Sequence, residues 1–210
     1  NCRGVAYHVD QTSGVGQIYV TSTSSDDVKV YDLNGSLDRS LDPISTTNYN
    51  VYDLAIDEDG TLFIADEYWV TSMDSDGSIN WRVGGYGSED LKFNIIYGIT
   101  IGQDGNLYVA DRANYRVQVL DKNGTFIRKF GENGTAPGQL NYSYDIVSLP
   151  DGRILVSDSG YGHYFQMDGT FIKRESSLRY YVSVASDGNL FSRQTYRDKD
   201  GQWIKYISYI

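Results

Sequence analysis

The sequence predicts an all-β fold, a β-propeller built from four-stranded antiparallel blades. Two observations predict it: turn glycines recur at a nearly constant spacing, and the runs between them alternate apolar and polar residues. The two turn glycines of successive units are Gly16 and Gly35, Gly60 and Gly77, Gly105 and Gly124, Gly152 and Gly169, and Gly188 and Gly201. The first glycines are separated by steps of 44, 45, 47 and 36 residues, so five units follow one another.

The third unit shows the strand pattern most clearly. Its segment IYGITIG is followed by the turn QDG and the strand NLYVAD, and after the loop RANY come RVQVLD, KNG and TFIRKF. Asp-Gly and Asn-Gly readily adopt the positive φ that tight hairpin turns require. Val, Ile, Tyr and Phe at alternate positions favour strands. The unit is therefore predicted to contain four strands joined by a turn, a loop and a second turn.

The same pattern predicts one propeller domain, residues 1–210, with units at about 1–45, 46–90, 91–138, 139–176 and 177–210. The inner strands are predicted in GVAYHV, VYDLAI, IYGITI, YDIVSL and YYVSVA, because sheets that bury both faces by packing around an axis need apolar inner strands. Only one strand, WIKYISYI, follows the last turn, so the fifth unit is predicted to be incomplete. Either further residues complete it or another chain pairs with its open edge.

The segment GNLYVADRANYRVQVLDKNGTFIRKFG, residues 105–131, resembles the NHL repeat, in which a turn glycine leads to Val-Ala-Asp, then Asn-x-Arg and Val-Gln-Val. The resemblance is strong over residues 96–131 and weaker in the other units, where GTLFIAD and GRILVSD match its first half. It implies a β-propeller, most often of six blades, so the five visible units leave the closure of the ring open and are compatible with part of a six-bladed ring. It also implies a polar tie between Asp111 and Arg116, and His163 stands where a similar tie to Asp158 is expected.

Charge and hydropathy exclude some classes of partner. The chain has 28 acidic and 18 basic residues and a formal net charge of −10. Nucleic-acid binding rests on clustered Lys and Arg, so we expect no nucleic-acid partner. No run approaches the roughly 18 apolar residues of a membrane span, so we expect no membrane insertion.

The predicted loop face, opposite the hairpin turns, carries aromatic residues that favour a recognition surface. Tyr and Trp are common at binding hot spots. The residues are Tyr68, Trp69, Tyr115, Tyr161 and Tyr164. The alternative interpretation is that these rings pack between blades.

Four Asn-x-Ser/Thr sequons fall on predicted loops, where a glycan must lie: Asn34, Asn123, Asn133 and Asn141. They favour an extracellular or secreted glycoprotein. The chain begins with Asn1 rather than Met, which favours a processed protein or a piece of a longer one. Cys2 is the only cysteine, and the sequence leaves open whether it pairs with a partner beyond these residues or stays a free thiol.

Catalytic and metal signatures are weak. Turns such as Asp121-Lys-Asn-Gly resemble part of a calcium loop, but they lack its terminal bidentate Glu, and Asp before Gly is explained by turn chemistry. Lyases that resemble this propeller use several histidines to hold zinc, and this chain has only His8 and His163. A lactonase-like calcium site needs Glu, Asn and Asp at inner-strand ends, where no Glu lies. We therefore expect neither a metal nor another cofactor, and no catalytic residues.

The sequence thus predicts a non-catalytic extracellular propeller that binds another protein or a glycan. The first alternative is a structural subunit that self-assembles through an open blade edge into a larger assembly or filament. The second, disfavoured, is a lactonase-like or lyase-like propeller enzyme.

Overall fold

The structure is a computed structural model. It describes residues 2–11, 13–22, 27–42, 50–178, 180–185, 188–197 and 203–209. These residues form five antiparallel sheets, four of them with four strands each, in which consecutive strands are neighbours. The predicted propeller fold class is confirmed.

The first two sheets follow one another along the chain. The first consists of β1 (Cys2–Val9), β2 (Gly16–Ser22), β3 (Val28–Asp32) and β4 (Leu37–Leu41). The second consists of β5 (Val51–Ile56), β6 (Leu62–Asp66), β7 (Trp69–Met73) and β8 (Ile79–Gly84).

The third and fourth sheets repeat this order. The third consists of β9 (Ile96–Ile101), β10 (Leu107–Asp111), β11 (Arg116–Leu120) and β12 (Phe126–Phe130), with a single 3₁₀ turn (Arg112–Asn114) between β10 and β11. The fourth consists of β13 (Asp145–Ser148), β14 (Ile154–Ser157), β15 (Gly162–Phe165) and β16 (Phe171–Glu175).

The fifth sheet has three strands in the described part of the chain. They are β17 (Tyr181–Val184), β18 (Leu190–Arg197) and β19 (Trp203–Tyr209), in that order. This matches the predicted incomplete last unit. The segment YYVSV is a strand, as its β-branched and aromatic residues predict.

Inner strands of successive sheets contact each other, β1 with β5, β5 with β9, β9 with β13 and β13 with β17. The sheets are therefore arranged around an axis lined by these five strands. An apolar cluster fills each space between neighbouring sheets, for example Phe63, Ile99 and Val109 between the second and third. Because both faces of a sheet are covered, every residue of β6, β10 and β11 is buried.

The inner strands are less completely buried than the second strands. Burial along β5 and β9 mixes buried and half-buried residues, because these strands also border a central cavity. The outermost strand β12 alternates half-buried and exposed residues, as a strand at the rim of a propeller should.

The hairpin turns use their acidic residues internally. The Asp121 carboxylate accepts hydrogen bonds from the backbone N–H groups of Asn123 at 2.9 Å and Thr125 at 2.8 Å. These bonds lower the pKa of Asp121, since the Thr125 N–H bond favours the ionised form. Gly124 has φ +80°, a conformation that other residues adopt with strain. Turn chemistry thus accounts for this acidic residue.

The described residues contain no helix with the length and apolar character required to cross a membrane.

Candidate functional site

Two of the predicted loop-face aromatics lie in the second unit, at the loop between β6 and β7. The backbone N–H groups of Tyr68 and Trp69 both donate to the Asp66 carboxylate at 2.9 Å. The guanidinium of Arg82 lies over the Trp69 ring, 4.6 Å from its centroid, and Tyr68 makes an edge contact with Tyr86. Both predicted residues are half-buried, so each is partly used in packing.

The other three predicted aromatics lie in the third and fourth units. Tyr115, at the end of the 3₁₀ turn, contacts the Tyr142 ring at 4.9 Å between centroids. Tyr161 is half-buried with Arg174 over its ring. Tyr164 is only 3% exposed, so its expected position as an exposed loop aromatic is wrong. It belongs to β15 and packs into the apolar cluster between the fourth and fifth sheets.

The polar tie expected from the NHL resemblance is present. Arg116 Nε donates to Asp111 Oδ2 at 2.8 Å, and both side chains are buried. Burial raises the pKa of Asp111, although the Asn94 N–H bond and Arg116 oppose the shift. Arg116 also donates to three backbone carbonyls in the 84–95 connection. The pair therefore holds the third blade to the loop that precedes it.

His163 replaces the arginine in the fourth unit, as predicted. Its Nε2 lies 3.0 Å from Asp158 Oδ2, and the imidazole is 1% exposed. Burial alone would raise the pKa of Asp158, but the bonds from His163 and the backbone N–H groups of Gly160 and Tyr161 lower it. This histidine is engaged inside a blade, away from the central cavity, and its role is structural.

A second set of tyrosines, not singled out by the sequence, lies at the loop-face ends of the inner strands. The ring centroids of Tyr52 and Tyr97 are 4.9 Å apart, those of Tyr97 and Tyr144 are 5.9 Å apart, and those of Tyr144 and Tyr181 are 6.2 Å apart. Each tyrosine comes from a different sheet, from the second to the fifth. Their rings therefore follow the edge of the central cavity.

Two arginines lie among these rings. The Arg3 guanidinium is 5.3 Å from the Tyr52 centroid, 5.0 Å from that of Tyr97 and 5.8 Å from that of Tyr181, and its Nη1 donates to the Tyr181 hydroxyl at 2.5 Å. Arg3 starts in the first sheet, so it reaches across the axis to three other sheets. Cations over tyrosine faces are attracted by the ring quadrupole.

Arg112, from the 3₁₀ turn, is held similarly. Its guanidinium is 4.5 Å from the Tyr97 centroid, 5.1 Å from that of Tyr142 and 4.9 Å from that of Tyr144. The name channel-mouth cluster is used below for the two arginines and the four inner-strand tyrosines: Arg3, Arg112, Tyr52, Tyr97, Tyr144 and Tyr181.

Below the cluster lies a cavity of about 970 Å³ lined by all five inner strands. Apolar residues such as Val5, Leu54, Val147 and Val184 line it, but polar atoms make up more than half of its exposed surface. Pockets that hold small ligands have volumes of this order.

Two aspartates of the inner strands also line this cavity. Asp53 Oδ2 accepts the Ile99 N–H at 2.9 Å, and Asp145 Oδ2 accepts the Val182 N–H at 3.1 Å. Each carboxyl therefore bonds the inner strand of the next sheet. Burial raises the pKa of Asp53 to about 7, and burial together with the charge of Asp53 raises the pKa of Asp145 well above its ordinary value. At neutral pH the pair thus carries a proton more readily than ordinary aspartates do.

Glycine alternates with these aspartates along the ring. A Cβ at Gly4 would lie 2.9 Å from Asp53 Cα, and one at Gly98 would lie 3.1 Å from the Ile146 backbone nitrogen. The glycine of the first inner strand therefore packs against the strand that carries Asp53, and the glycine of the third packs against the strand that carries Asp145.

A signal for the cluster was present in the sequence. Tyr52, Tyr97 and Tyr144 each stand immediately before the Asp or Gly of an inner strand, in VYD, IYG and SYD. Their shared position in three units predicts a ring of side chains once the strands are placed around an axis. Arg3 and Arg112 carry no such repeated position.

The sequons differ in accessibility. Asn34, Asn123 and Asn133 are exposed, whereas Asn141 is half-buried and its Nδ2 donates to Ser159 Oγ at 3.3 Å.

Within the described ranges, no group of three or more His, Cys, Asp and Glu side chains is placed to hold a metal ion.

Comparison with known proteins gives matches in sequence and in fold. Residues 93–120 match the NHL repeat family. NHL repeat-containing protein 3 of Homo sapiens is 30% identical over 145 residues, which are 64% of this chain and 39% of that protein. The chain therefore spans about two fifths of the length of this curated relative.

Solved structures share the fold at low sequence identity. Virginiamycin B lyase from Staphylococcus aureus gives a TM-score of 0.68 at 14% identity, over 98% of this chain and 69% of that chain. The Pan2 WD40 domain of Neurospora crassa gives a TM-score of 0.72 at 10% identity, over 99% of this chain and 61% of that chain. The predicted recognition is confirmed: the chain is a β-propeller protein that carries an NHL repeat at residues 93–120.

Proposed function

We propose that this propeller is a non-catalytic interaction module of an extracellular protein, and that it binds a protein or glycan through its loop face. The channel-mouth cluster carries the proposal, because it gathers arginine and tyrosine, the residue types most enriched at binding hot spots, at one end of the axis. General use of propellers of this architecture as protein-interaction modules supports it.

The polar groups that line the axis support a non-catalytic role. Asp53 and Asp145 are the carboxyls of the cavity with raised pKa values, a property that catalytic acids often share. In both, however, one carboxyl oxygen accepts a hydrogen bond from a backbone N–H of the neighbouring blade. We assign them to holding the inner strands together rather than to proton transfer.

The binding proposal is tested by an array of extracellular protein domains and glycans. Purified protein is compared with a variant that removes three of the predicted aromatics, Tyr68→Ser, Trp69→Ser and Tyr115→Ser, and with a Tyr97→Ser variant of the cluster. We expect a reproducible ligand that is lost in at least one of the two. The proposal fails if every ligand found binds both variants as it binds the wild type.

Exposed sequons support the extracellular location. Asn34, Asn123 and Asn133 are open to a glycosyltransferase. The intact mass of the native protein is measured before and after enzymatic removal of N-glycans. A mass that falls on treatment is expected, and an unchanged mass contradicts the location.

The geometry of the fifth sheet favours one alternative, a structural subunit. In the described part of the chain, β19 is the last strand of a three-stranded sheet and pairs with β18. An edge of this kind accepts a strand from a neighbouring molecule. Light scattering on native material distinguishes the two: concentration-dependent growth into large assemblies favours the subunit, and a single small species excludes it.

A further inference from the structure

The arginines of this protein differ sharply in their partners. Among residues with described side chains, five arginines form ion pairs with aspartates: Arg39, Arg82, Arg116, Arg128 and Arg153. Another, Arg174, donates to a backbone carbonyl. In a chain with 28 acidic residues, pairing is the expected outcome.

Arg3 and Arg112 are the exceptions. In the described part of the chain, Arg3 contacts only tyrosines, three rings and one hydroxyl. Among the described residues, the Arg112 side chain lies over three tyrosine rings and has no hydrogen bond or ion pair. Its Nε is buried without a hydrogen-bond partner, as are those of Arg82 and Arg128, but these two arginines bind aspartates through another nitrogen.

The two unpaired guanidinium groups lie close together. Their Cζ atoms are 5.0 Å and 4.5 Å from the centroid of the same ring, Tyr97, so they are no more than 9.5 Å apart. This distance is comparable with the roughly 8 Å over which physiological salt screens charge. Two cations held this close attract an anion, even on a protein of net charge −10. The Glu67 carboxylate, which also acts on the Tyr52 hydroxyl, offsets them in part.

The surroundings indicate the rest of the ligand. Tyr52, Tyr97 and Tyr181 line the cavity at its loop-face end, and in the wall below apolar side chains are mixed with Ser, Thr and Asp. Asp53 and Asp145 lie further along the inner strands and bond to backbone N–H groups, so an anion is favoured at the arginines and disfavoured deeper inside. A ligand with one negative end and an uncharged body that carries both apolar and polar groups fits this distribution.

We propose that Arg3 and Arg112 bind the carboxylate group of a ligand whose uncharged body enters the central cavity. The planar guanidinium fork matches the two oxygens of a carboxylate, and the tyrosine rings hold each fork in place. The inference deepens the proposed function, on which it rests, by naming the ligand class. Two sources supply this chemistry: a free organic acid, and the carboxyl-terminal end of a protein chain.

The test observes the arginine side chains directly. Arginine Nε–H signals of ¹⁵N-labelled protein are followed by NMR during titration with 3-phenylpropionate, and with the neutral 3-phenylpropanol as the matched control. We expect the Arg3 and Arg112 signals to shift with the acid, with Kd on the order of 1 mM for so small a ligand. The alcohol should leave them unshifted.

Three variants localise the effect. Arg112→Gln should weaken binding of the acid at least about tenfold, and Arg112→Lys should weaken it less because it keeps the charge and loses the fork. Arg153→Gln is the control, since Arg153 also lies over a tyrosine ring, Tyr164, but is paired with Asp151 on the hairpin-turn side. It should bind the acid as the wild type does.

Peptide probes separate the two sources. A peptide ending in Leu-Phe with a free carboxylate is compared with the same peptide ending in an amide. Tighter binding of the free-acid peptide than of 3-phenylpropionate assigns the site to a chain end, and the reverse order assigns it to a small acid.

The inference is overturned if 3-phenylpropionate shifts neither arginine up to roughly 50 mM, if acid and alcohol act alike, or if Arg112→Gln and Arg112→Lys both bind as the wild type does. Its failure is distinct from that of the proposed function. If array ligands no longer bind the Tyr68, Trp69 and Tyr115 variant while the arginines do not respond to carboxylates, the interaction-module proposal stands. The proposed carboxylate site is then rejected.

Discussion

Replacing Arg116 by Gln tests how the NHL-type tie stabilises the blade. Arg116 is 7% exposed and donates one bond to the Asp111 carboxylate and three to the carbonyls of Ser88, Glu89 and Lys92. Glutamine is too short to reach all four acceptors. The variant therefore leaves a fully buried carboxylate without its cation and frees the 84–95 connection.

The expected cost follows from the burial of the pair. Breaking a buried ion pair by removing one partner costs about 3–5 kcal/mol, because the remaining charge stays in a low-dielectric site. For a chain of this size that corresponds to a decrease in Tm of about 6–20 °C. Arg82→Gln is the comparison: its partner Asp66 is buried as well, but Arg82 is 25% exposed and bonds it through one nitrogen, so a smaller loss of about 1–2 kcal/mol is expected.

Urea unfolding followed by fluorescence gives both free energies of unfolding, and hydrogen exchange reports the 84–95 connection. We expect a loss about twice as large or more for Arg116→Gln as for Arg82→Gln, with faster exchange at the backbone N–H of Phe93. Equal losses would refute the reasoning, because they would mean that the deeper burial of Arg116 and its three carbonyl bonds add no stability.

Three further predictions concern the axis, the turns and the surface. Asp53→Asn should raise the free energy of unfolding at pH 7. Burial raises the folded pKa of Asp53 to about 7, so this carboxyl stabilises the fold fully only below its unfolded pKa. Up to about 4 kcal/mol of that stabilisation is lost in the wild type as the pH rises from about 4 to 7. Gly169→Ala should destabilise more than Gly105→Ala. Both glycines have positive φ, but a Cβ at Gly169 would lie 2.8 Å from Phe130, whereas at Gly105 the nearest atom is 3.9 Å away. Asn123→Gln should lower the mass of protein secreted from eukaryotic cells by one N-glycan, since Asn123 lies exposed in a turn.

Each of these predictions has a clear contrary result. The Asp53→Asn prediction is contradicted if urea unfolding between pH 4 and 8 gives the same dependence of the free energy of unfolding on pH in the variant and the wild type. Equal thermal unfolding of Gly169→Ala and Gly105→Ala would show that the Phe130 contact relaxes freely. An unchanged mass in Asn123→Gln would leave that sequon unoccupied, and Asn141→Gln, at a half-buried site, is the control in which no change is expected.

Local features of the fold were predictable from the sequence. Asn-Gly at Asn123 and Gly124 specifies a tight turn because only such residues accept its backbone conformation, and alternation of β-branched and aromatic residues specifies the strands on either side. The tie of Asp111 to Arg116 was implied by the NHL resemblance, and it lies within five residues of chain. All of these depend on neighbours in sequence.

The candidate site depends on distant residues, and there the prediction failed. The sequence indicates a loop in SGYGHY, which contains Tyr164, but β15 begins at Gly162 and buries the Tyr164 ring. Arg3 meets Tyr181 across 178 positions, a contact that exists only once five sheets surround one axis. Periodicity locates strands; it does not say which side chains converge at the end of the axis.

The most direct test of the account is a crystal structure of the protein grown with 3-phenylpropionate. The account predicts the carboxylate within about 3 Å of guanidinium nitrogens of Arg3 and Arg112, and the phenyl ring inside the central cavity. Ligand density on another face, or in the cavity with its carboxylate away from both arginines, would contradict the claim that the channel-mouth cluster is the binding surface.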